Sequence, residues 1–496
     1  MTTQTAILIG LVIYALLMTA ISLFFMARVK RAADYLVGGR GIPYWALTGN
    51  IVGTCIGTGV VIGASGLAYR HGWAGCAYPI GLGLGTLLTG LLYAMMRRYK
   101  FMTLGEEIAC YYGKNRAVME FSNISLFLSQ LCWLTVQIMG GGAVLSVVTG
   151  WDPKICAVLA GAVTAVISIP GGLKTVIYTD FLQATILLCG FSLLSYVALN
   201  DVGGLAGLRQ SVPSEYFSFL GFRSYGGWKI ASLIIVLMLN PIADPGRRLT
   251  MYSARSETGA RWSMVTAGII VMVFSVVVGI AGMYTFKLNP NLPSSDQALP
   301  WLVMNVLPAW LAAVVVVSVV SAIFSSANGN AAAAGTFFVR HIFPLLTQHY
   351  PKQPVVAVRR ALAAAFVLST ALALYMGNIV EFVIKFLPLT MSGLAVIILM
   401  GRFWKRSTWQ GALAALITTP SVSLALMTVP TGTKFWDNPV IPATLIGVIA
   451  LIAVSLFTPA NLHSFEGISE TMRAERDSIE SGLSENAESL SVSEVV

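Results

Sequence analysis

Charged residues are scarce in this chain: only 10% of its 496 residues are Asp, Glu, Lys or Arg, whereas 56% are hydrophobic. This balance excludes a water-soluble globular protein, in which about a quarter of the residues are charged. Histidine and cysteine number only four and six, and none of them shows CxxC spacing or the spacing of a zinc site. We therefore expect neither an enzyme nor a disulfide framework.

Long apolar stretches occupy most of the chain instead. Thirteen are long enough to cross roughly 30 Å of hydrocarbon as helices, which predicts an all-α polytopic membrane protein. The first stretch lacks a basic flank and a cleavage site, so we expect it to remain as a helix. The predicted spans are 5–27, 43–69, 74–96, 117–149, 153–171, 178–200, 227–246, 260–286, 303–338, 358–377, 379–400, 408–428 and 436–458.

Basic residues are distributed asymmetrically between the predicted loops. With the N-terminus outside, 23 of the 31 Lys and Arg residues fall on the inner side, which predicts a cytoplasmic C-terminus. This pattern accounts for the net charge of +10 without a nucleic-acid partner. Residues 459–496 are Ser/Glu-rich, and we expect a mobile cytoplasmic tail with at most a short amphipathic helix around 468–479.

Two spans contain helix-breaking residues at membrane depth. Span 2 carries four glycines within residues 49–59, and span 7 carries Pro241, Asp244 and Pro245. Broken helices at matching positions of two antiparallel halves indicate an inverted-repeat secondary transporter with its site at mid-membrane. Close helix packing could explain the glycines of span 2 alone, but it explains span 7 less well.

This interpretation divides the chain into five parts. They are 1–41 (an extra helix and an inner loop), 42–200 (first repeat, spans 2–6), 201–402 (second repeat, spans 7–11), 403–458 (spans 12 and 13) and 459–496 (the tail).

Oxygen-bearing side chains mark two further places. Span 9 contains Ser325, Ser326 and Asn328, and hydroxyls beside an unwound helix could coordinate a hard cation such as sodium. The alternative is that both serines bond to carbonyls of their own helix. Asp180 opens the apolar stretch of span 6, where an acid indicates either a functional site or a helix cap.

Several motifs together resemble the sodium/solute symporter family, whose members transport proline, pantothenate, sugars, sialic acid and monocarboxylates with sodium. Gly171-Gly172 followed by Thr179-Asp180 and Gln183 is similar to the family signature. Residues 34–40 (DYLVGGR) resemble the sequence before the first broken helix, and Arg248-Leu249-Thr250 resembles, more loosely, the motif after the second. The resemblance covers spans 1 to 11 and implies a LeuT-like five-plus-five inverted repeat.

The resemblance also implies a sodium site. Asp180 matches a carboxylate near the inner side of that site, which holds a second ion in some members and tunes release in others. Cys55 and Asp244-Pro245 depart from the family pattern, so the identity of the substrate does not transfer. The implied ligands are the carbonyls of Gly53, Ile56 and Ala322 and the hydroxyls of Ser325 and Ser326.

Polar residues beside the two breaks form the candidate solute site. A packing face is an alternative for the three on span 4, and Asp244 could either bind an ammonium group or cap the following helix. If Asp244 faces the pocket, we expect an amine-bearing solute; otherwise we expect a small neutral or monocarboxylate solute. The candidates are Thr54, Thr58, Gln130, Trp133, Gln137, Asn240, Asp244 and Asn328.

The sequence therefore predicts a secondary active transporter that imports a small organic solute by sodium symport in a plasma membrane, with a bacterial inner membrane expected. The solute could be an amino acid, an amine, a monocarboxylate or a sugar-like molecule. Proton coupling through Asp180 or Asp244, or a transporter-like sensor without net transport, are the alternatives. A monomer is compatible with the sequence, and the oligomeric state stays open.

Overall fold

The computed structural model describes residues 2–26, 35–169, 172–375, 379–428, 439–461, 463–473 and 475–477. These residues are mostly helical, as lipid requires of backbone groups that have no water to pair with. Asp34 and Gly171 of the family-like motifs lie outside the described residues. The helices are α1 (Thr3–Met26), α2 (Tyr44–Cys55), α3 (Ser65–His71), α4 (Ala77–Tyr93), α5 (Leu104–Tyr112), α6 (Arg116–Thr149), α7 (Pro153–Ser168), α8 (Gly172–Val202), α9 (Gly204–Ser211), α10 (Gly227–Ala243), α11 (Pro245–Tyr252), α12 (Glu257–Leu288), α13 (Ala298–Asn305), α14 (Ala309–Phe337), α15 (Phe343–Thr347), α16 (Pro354–Tyr375), α17 (Ile379–Phe403), α18 (Trp409–Thr428), α19 (Val440–Phe457) and α20 (Phe465–Thr471).

Each of the thirteen predicted spans overlaps at least one of these helices. Ten helical segments of the described chain are long and apolar enough to cross a membrane, and two shorter apolar helices accompany them. The prediction of an all-helical membrane protein is thus confirmed. The number of crossings stays a prediction.

Span 2 is interrupted at its glycine cluster. Helix α2 ends at Cys55, and Ile56 leaves the helical region with φ −94° and ψ 68°. A π-helical stretch, Gly59–Ala64, then leads into α3. Glycine is needed here because a Cβ on Gly57 would collide with the side chain of Ser326, and one on Gly59 with the ring of Tyr78. The close approach of these neighbours excludes any larger residue.

Span 7 is interrupted at Asp244, which has φ −79° and ψ 111° between α10 and α11. Pro245 occupies the first position of α11, where its missing N–H costs nothing. The carboxylate of Asp244 accepts hydrogen bonds from the N–H groups of Gly246 (2.8 Å) and Arg247 (3.4 Å). Asp244 therefore caps the second half of the span, which was one of its two predicted roles.

The two interrupted regions lie together in the bundle. Helix α2 packs against α8, α12 and α14, and α11 also contacts α2 and α14. A short backbone pairing joins the chain ahead of α2 to the end of α11, because Ile42 donates to Ser253 (3.3 Å) and accepts from Arg255 (3.0 Å). Gly57 and Asp244, which lie at the two breaks, line one common cavity, so the two interruptions are close together.

The segment after α19 is docked against the bundle, contrary to the expectation of a mobile tail. Phe465 packs on the rings of Tyr99 and Tyr111, with centroids 4.8 and 5.3 Å away. Arg476 reaches Glu106 of α5 at 3.4 Å. The expectation is therefore wrong for residues 463–473 and 475–477, because this part offers an aromatic anchor and charges that pair in the interior. Residues 478–496 lie outside the described part of the chain.

Three arginines that sequence counting assigns to inner loops are buried instead. Arg248 is fully buried, pairs with Glu107 at 3.3 Å and lies 3.8 Å over the ring of Tyr93. Arg247 and Arg340 are also buried, in α11 and just after α14. A count of basic residues cannot distinguish such structural charges from solvated ones.

Glu106 is the centre of the buried charge cluster beneath the docked segment. Its oxygens lie 2.6 Å from Arg340 and 3.4 Å from Arg476, and Arg340 also contacts Glu475 at 2.8 Å. Burial opposes ionisation of Glu106, but Arg340 and Arg476 outweigh it and lower the pKa of this carboxyl below its usual value. Its stabilising contribution is therefore complete at neutral pH and is lost as the pH falls through that lowered pKa.

We predict that Glu106→Gln destabilises the purified protein by roughly 3–5 kcal/mol, because it leaves buried guanidinium charge without its counterion. The measurement is the Tm in detergent at neutral pH. Glu257→Gln is the matched control, since Glu257 pairs with Arg98 at the surface, where such a pair contributes about 0–1 kcal/mol. Equal Tm values for the two variants would contradict the assignment of Glu106 as the anchor of this cluster.

Candidate ion and solute site

The contact between α2 and α14 is the centre of the candidate ion site. The Ser326 hydroxyl lies 3.4 Å from the carbonyl of Gly53 and 3.1 Å from that of Thr54, and it can donate to either. The side chain of Ser325 lies against Gly53, where a Cβ would collide with its hydroxyl. Both serines therefore face α2, instead of bonding only within their own helix.

Two buried oxygen atoms at this contact, Oγ of Ser325 and Oδ1 of Asp180, make no hydrogen bond of ordinary geometry among the described residues, although the two side chains face each other. Both residues are fully buried. An unpaired buried oxygen is costly, and a buried carboxylate more so. A cation between these groups would satisfy both, so the side chains present fit a sodium ion.

Asp180 belongs to a polar network that crosses the bundle. Asn50 of α2 donates to its Oδ2 at 2.7 Å, and Thr250 of α11 donates to Oδ1 of Asn50 at 2.9 Å. Asn328 of α14 also faces the carboxylate and accepts a hydrogen bond from Ser168. Asn50 thus links α8 to both interrupted regions, a role that sequence analysis did not assign.

Four of the residues predicted to bind sodium lie at this contact: Gly53, Ser325, Ser326 and Asp180. The backbone carbonyl oxygen of Asp180 also lies close to Gly53, so the acid is beside the proposed ligands. Ile56 follows the end of α2, where its carbonyl leaves the helix axis, and Ala322 lies one turn before Ser326 on α14. All of these residues are buried: Gly53, Ile56, Ala322, Ser325, Ser326 and Asp180.

A cavity lies next to this contact, between α2, α4, α6, α10, α11 and α14. Ser326 belongs to its wall as well as to the ion site. The cavity is therefore adjacent to the candidate ion. Five of the predicted solute-binding residues line it: Thr54, Trp133, Gln137, Asn240 and Asp244.

The other three predicted residues lie around the cavity without lining it. Thr58 donates to Oε1 of Gln137 through its hydroxyl (2.8 Å) and its backbone N–H (3.2 Å), so it positions that amide. Gln130 is fully buried and leaves Oε1 unpartnered within the described structure. Asn328 belongs to the Asp180 network.

Arg247 lines the cavity and was missed as a site residue. Its Nη1 lies 3.0 Å from Oδ1 of Asn240 and 3.2 Å from Oδ2 of Asp244. The Asp-x-x-Arg spacing of Asp244 and Arg247 is a usable signal, since side chains three apart at a helix start are neighbours. The count of basic residues in the predicted loops does not show this role, because it assigns Arg247 to a solvated inner loop.

Comparison with known proteins identifies the family of this chain. The family model for the sodium:solute symporter family matches residues 35–419, which is most of the chain. The chain belongs to the sodium:solute symporter family. It is 26% identical over 487 residues to the sodium/glucose cotransporter of Vibrio parahaemolyticus, covering 89% of this chain and 88% of that protein. It is 22% identical over 472 residues to the sodium/pantothenate symporter of Escherichia coli K12, covering 92% and 97%.

A solved structure shares the fold of this symporter. The substrate-bound, outward-open Na⁺-coupled sialic acid symporter superposes with a TM-score of 0.78 at 20% identity, covering 93% of this chain and all of that one. The protein is therefore a membrane transporter that couples the import of a small solute to sodium, and it is not an enzyme. Proton coupling and signalling without transport are not favoured by these relationships.

We predict that Ser325→Ala and Ser326→Ala each raise the sodium concentration that gives half of the maximal rise in Tm by about tenfold. This change is equivalent to a loss of about 1.4 kcal/mol in the free energy of sodium binding. The measurement is the sodium-dependent rise in Tm of the purified symporter, because an ion that binds only the folded state raises its stability. Ser318→Ala is the control, since its hydroxyl lies on the same helix and bonds to Val314 (2.7 Å) and Ile186 (3.1 Å). An unchanged sodium dependence in both serine variants would sink the assignment.

Proposed function

We propose that the symporter binds sodium at the α2–α14 contact and its solute in the adjoining cavity, and moves both by alternating access. The proposed ligands are the carbonyls of Gly53, Ile56 and Ala322 and the hydroxyls of Ser325 and Ser326. One observation supports this most strongly: Ser326 contacts the carbonyls of α2 and also lines the cavity. A single side chain therefore belongs to both proposed sites.

Shared structure of this kind explains coupling in physical terms. Sodium held between α2 and α14 favours the arrangement in which these helices are in contact, and the wall of the cavity is complete only in that arrangement. An ion and a solute that prefer the same conformation increase each other's affinity by the same factor. Transport then requires both ligands, because either one alone stabilises the arrangement less.

Asp180 is proposed to act on the ion and not as a structural cap. It lies well inside α8 (Gly172–Val202), not at a helix start, and its Oδ1 has no partner in the described network. A negative charge beside the sodium ligands attracts the ion and modulates its release, through Asn50 on one side and Ser325 on the other. Asp180 is thus the group whose charge can be removed without removing a ligand hydroxyl.

The proposed orientation places the N-terminus outside and the C-terminus in the cytoplasm of a bacterial inner membrane. It is supported by the excess of basic residues on one side of the predicted spans, which persists when the four buried arginines, Arg247, Arg248, Arg340 and Arg476, are left out. The relatives named for glucose and for pantothenate differ in their solutes. The identity of this protein's solute therefore has to be inferred from the residues that line its own cavity.

Reconstituted transport tests the proposed function. Small amino acids, amines, carboxylates and sugars are first screened for a rise in Tm in sodium chloride that is absent in choline chloride. We predict that a solute found in this way accumulates in proteoliposomes under an inward sodium gradient, and that a pH gradient alone does not drive it. Asp180→Asn should fold normally and change the sodium dependence of uptake, because it keeps the size of the side chain and removes its charge.

If a pH gradient drives accumulation without sodium, and Asp180→Asn abolishes this accumulation, the symporter is coupled to protons and not to sodium. Wild-type sodium kinetics in Asp180→Asn would return Asp180 to a structural role. Asp152→Asn is the control for removal of an acid, since Asp152 caps α7 at an exposed position.

A further inference from the structure

The hydrogen-bonding capacity of Asp244 is largely used within the protein. Its Oδ1 accepts from two backbone N–H groups at the start of α11, and its Oδ2 pairs with Nη1 of Arg247 at 3.2 Å. An ammonium group of a solute would have to compete with a guanidinium that is already bound. Asp244 is therefore poorly placed to select an amine.

Arg247 is in the opposite situation, because part of its guanidinium is unused. The side chain is 6% exposed and lines the cavity. Asn240 and Asp244 hold Nη1, whereas Nε has no hydrogen-bond partner among the residues that the structure describes. A buried donor of a charged group is expensive to leave unpaired. Nε, which forms one side of the edge that matches the two oxygens of a carboxylate, is therefore available to a ligand, with the thiol of Cys55 as its neighbour.

Other groups around the cavity reinforce this donor character. Gln137 uses its carbonyl oxygen to accept two hydrogen bonds from Thr58, which leaves its NH₂ group to donate. Tyr78 and Trp133, whose phenol hydroxyl and indole N–H can donate, also line the cavity. Beside the guanidinium lies Cys55, a thiol and not a second carboxylate. The cavity therefore offers a solute several hydrogen-bond donors.

We propose that Arg247 binds a carboxylate of the solute through its Nε–Nη2 edge, so that the transported solute is a small carboxylate-bearing molecule. Asn240 and Asp244 position the guanidinium by holding its other edge. The proposal rests on the cavity being the solute site, as proposed above. Sodium next to the same cavity offsets the charge of the incoming anion, which gives the coupling an electrostatic component in addition to the shared wall.

Matched ligands test the charge requirement. Acetate, propionate, lactate, pyruvate and benzoate are compared with their neutral amides and with the corresponding amines, by the rise in Tm of the purified full-length symporter in sodium chloride and in choline chloride. At least one carboxylate should bind in sodium, at least tenfold more tightly than its amide. The absence of any carboxylate effect, or equal binding of acid and amide, would overturn the proposal.

Arg247→Lys tests the residue, since it keeps the charge but loses the planar two-donor edge. We expect its affinity for the carboxylate to fall at least tenfold, while sodium alone stabilises it as it does the wild type. Arg261→Lys is the control, because that side chain is 43% exposed and pairs with Glu257. Unchanged carboxylate affinity in Arg247→Lys would overturn the assignment.

Asp244→Asn is a second variant, and it distinguishes carboxylate binding by Arg247 from amine binding by Asp244. On the present proposal it still prefers the carboxylate to the amide, because Arg247 remains. Binding of an amine that is lost in Asp244→Asn and kept in Arg247→Lys would assign the solute to Asp244 and overturn the proposal. Sodium-dependent binding of a neutral solute that Arg247→Lys leaves unchanged would also overturn the carboxylate proposal. It would not contradict the proposed sodium symport.

Discussion

The close contact between an interrupted helix and a continuous one is the constraint on which the rest of the site depends. Gly53 has no side chain, so α2 approaches α14 until the Ser325 hydroxyl occupies the space where a Cβ would lie. The same approach brings Ser326 within hydrogen-bond distance of the carbonyl of Thr54. Asp180 then lies beside this contact and the cavity adjoins it. A larger residue at Gly53 would push α2 away from α14 and so disrupt both the candidate ion site and the adjoining solute site.

Some buried polar atoms of the described residues are satisfied within the protein, and others, including three at the candidate site, are not. Asn50, Asp244 and Glu106 have their main contacts within the protein, and these contacts fix helices α2, α11 and α5 in place. Ser325 Oγ, Asp180 Oδ1 and Arg247 Nε lack partners within the described residues. Two of these three atoms are acceptors beside the proposed cation, and the third is a donor at the cavity. Their unmet hydrogen-bonding capacity matches a cation in one place and an anion in the other.

Sequence reasoning was most successful where the cause was local. Apolar runs predicted the membrane helices, and the residues that break helices predicted the changes of conformation at Ile56 and Asp244. In each case, the signal and the structural feature lie within the same few residues.

Pairing between distant segments could not be predicted in the same way. Glu106 meets Arg476 across 370 positions, and Asn50 meets Thr250 across 200. No sequence pattern near Arg476 predicts a buried partner, and the surrounding composition is that of a mobile tail. Arg247 was hidden for a different reason. It follows a predicted span, where arginines usually face water, but the cap at Asp244 turns α11 back into the protein.

High-resolution maps of the symporter in sodium chloride and in choline chloride test the central claim most directly. The account predicts a density peak in sodium, bounded by the carbonyl of Gly53 and the hydroxyls of Ser325 and Ser326, that is absent in choline. Without the ion, α2 and α14 should move apart or their contact should become less ordered. Identical maps in the two salts, or a sodium peak elsewhere while Ser325 and Ser326 keep only protein contacts, would contradict it.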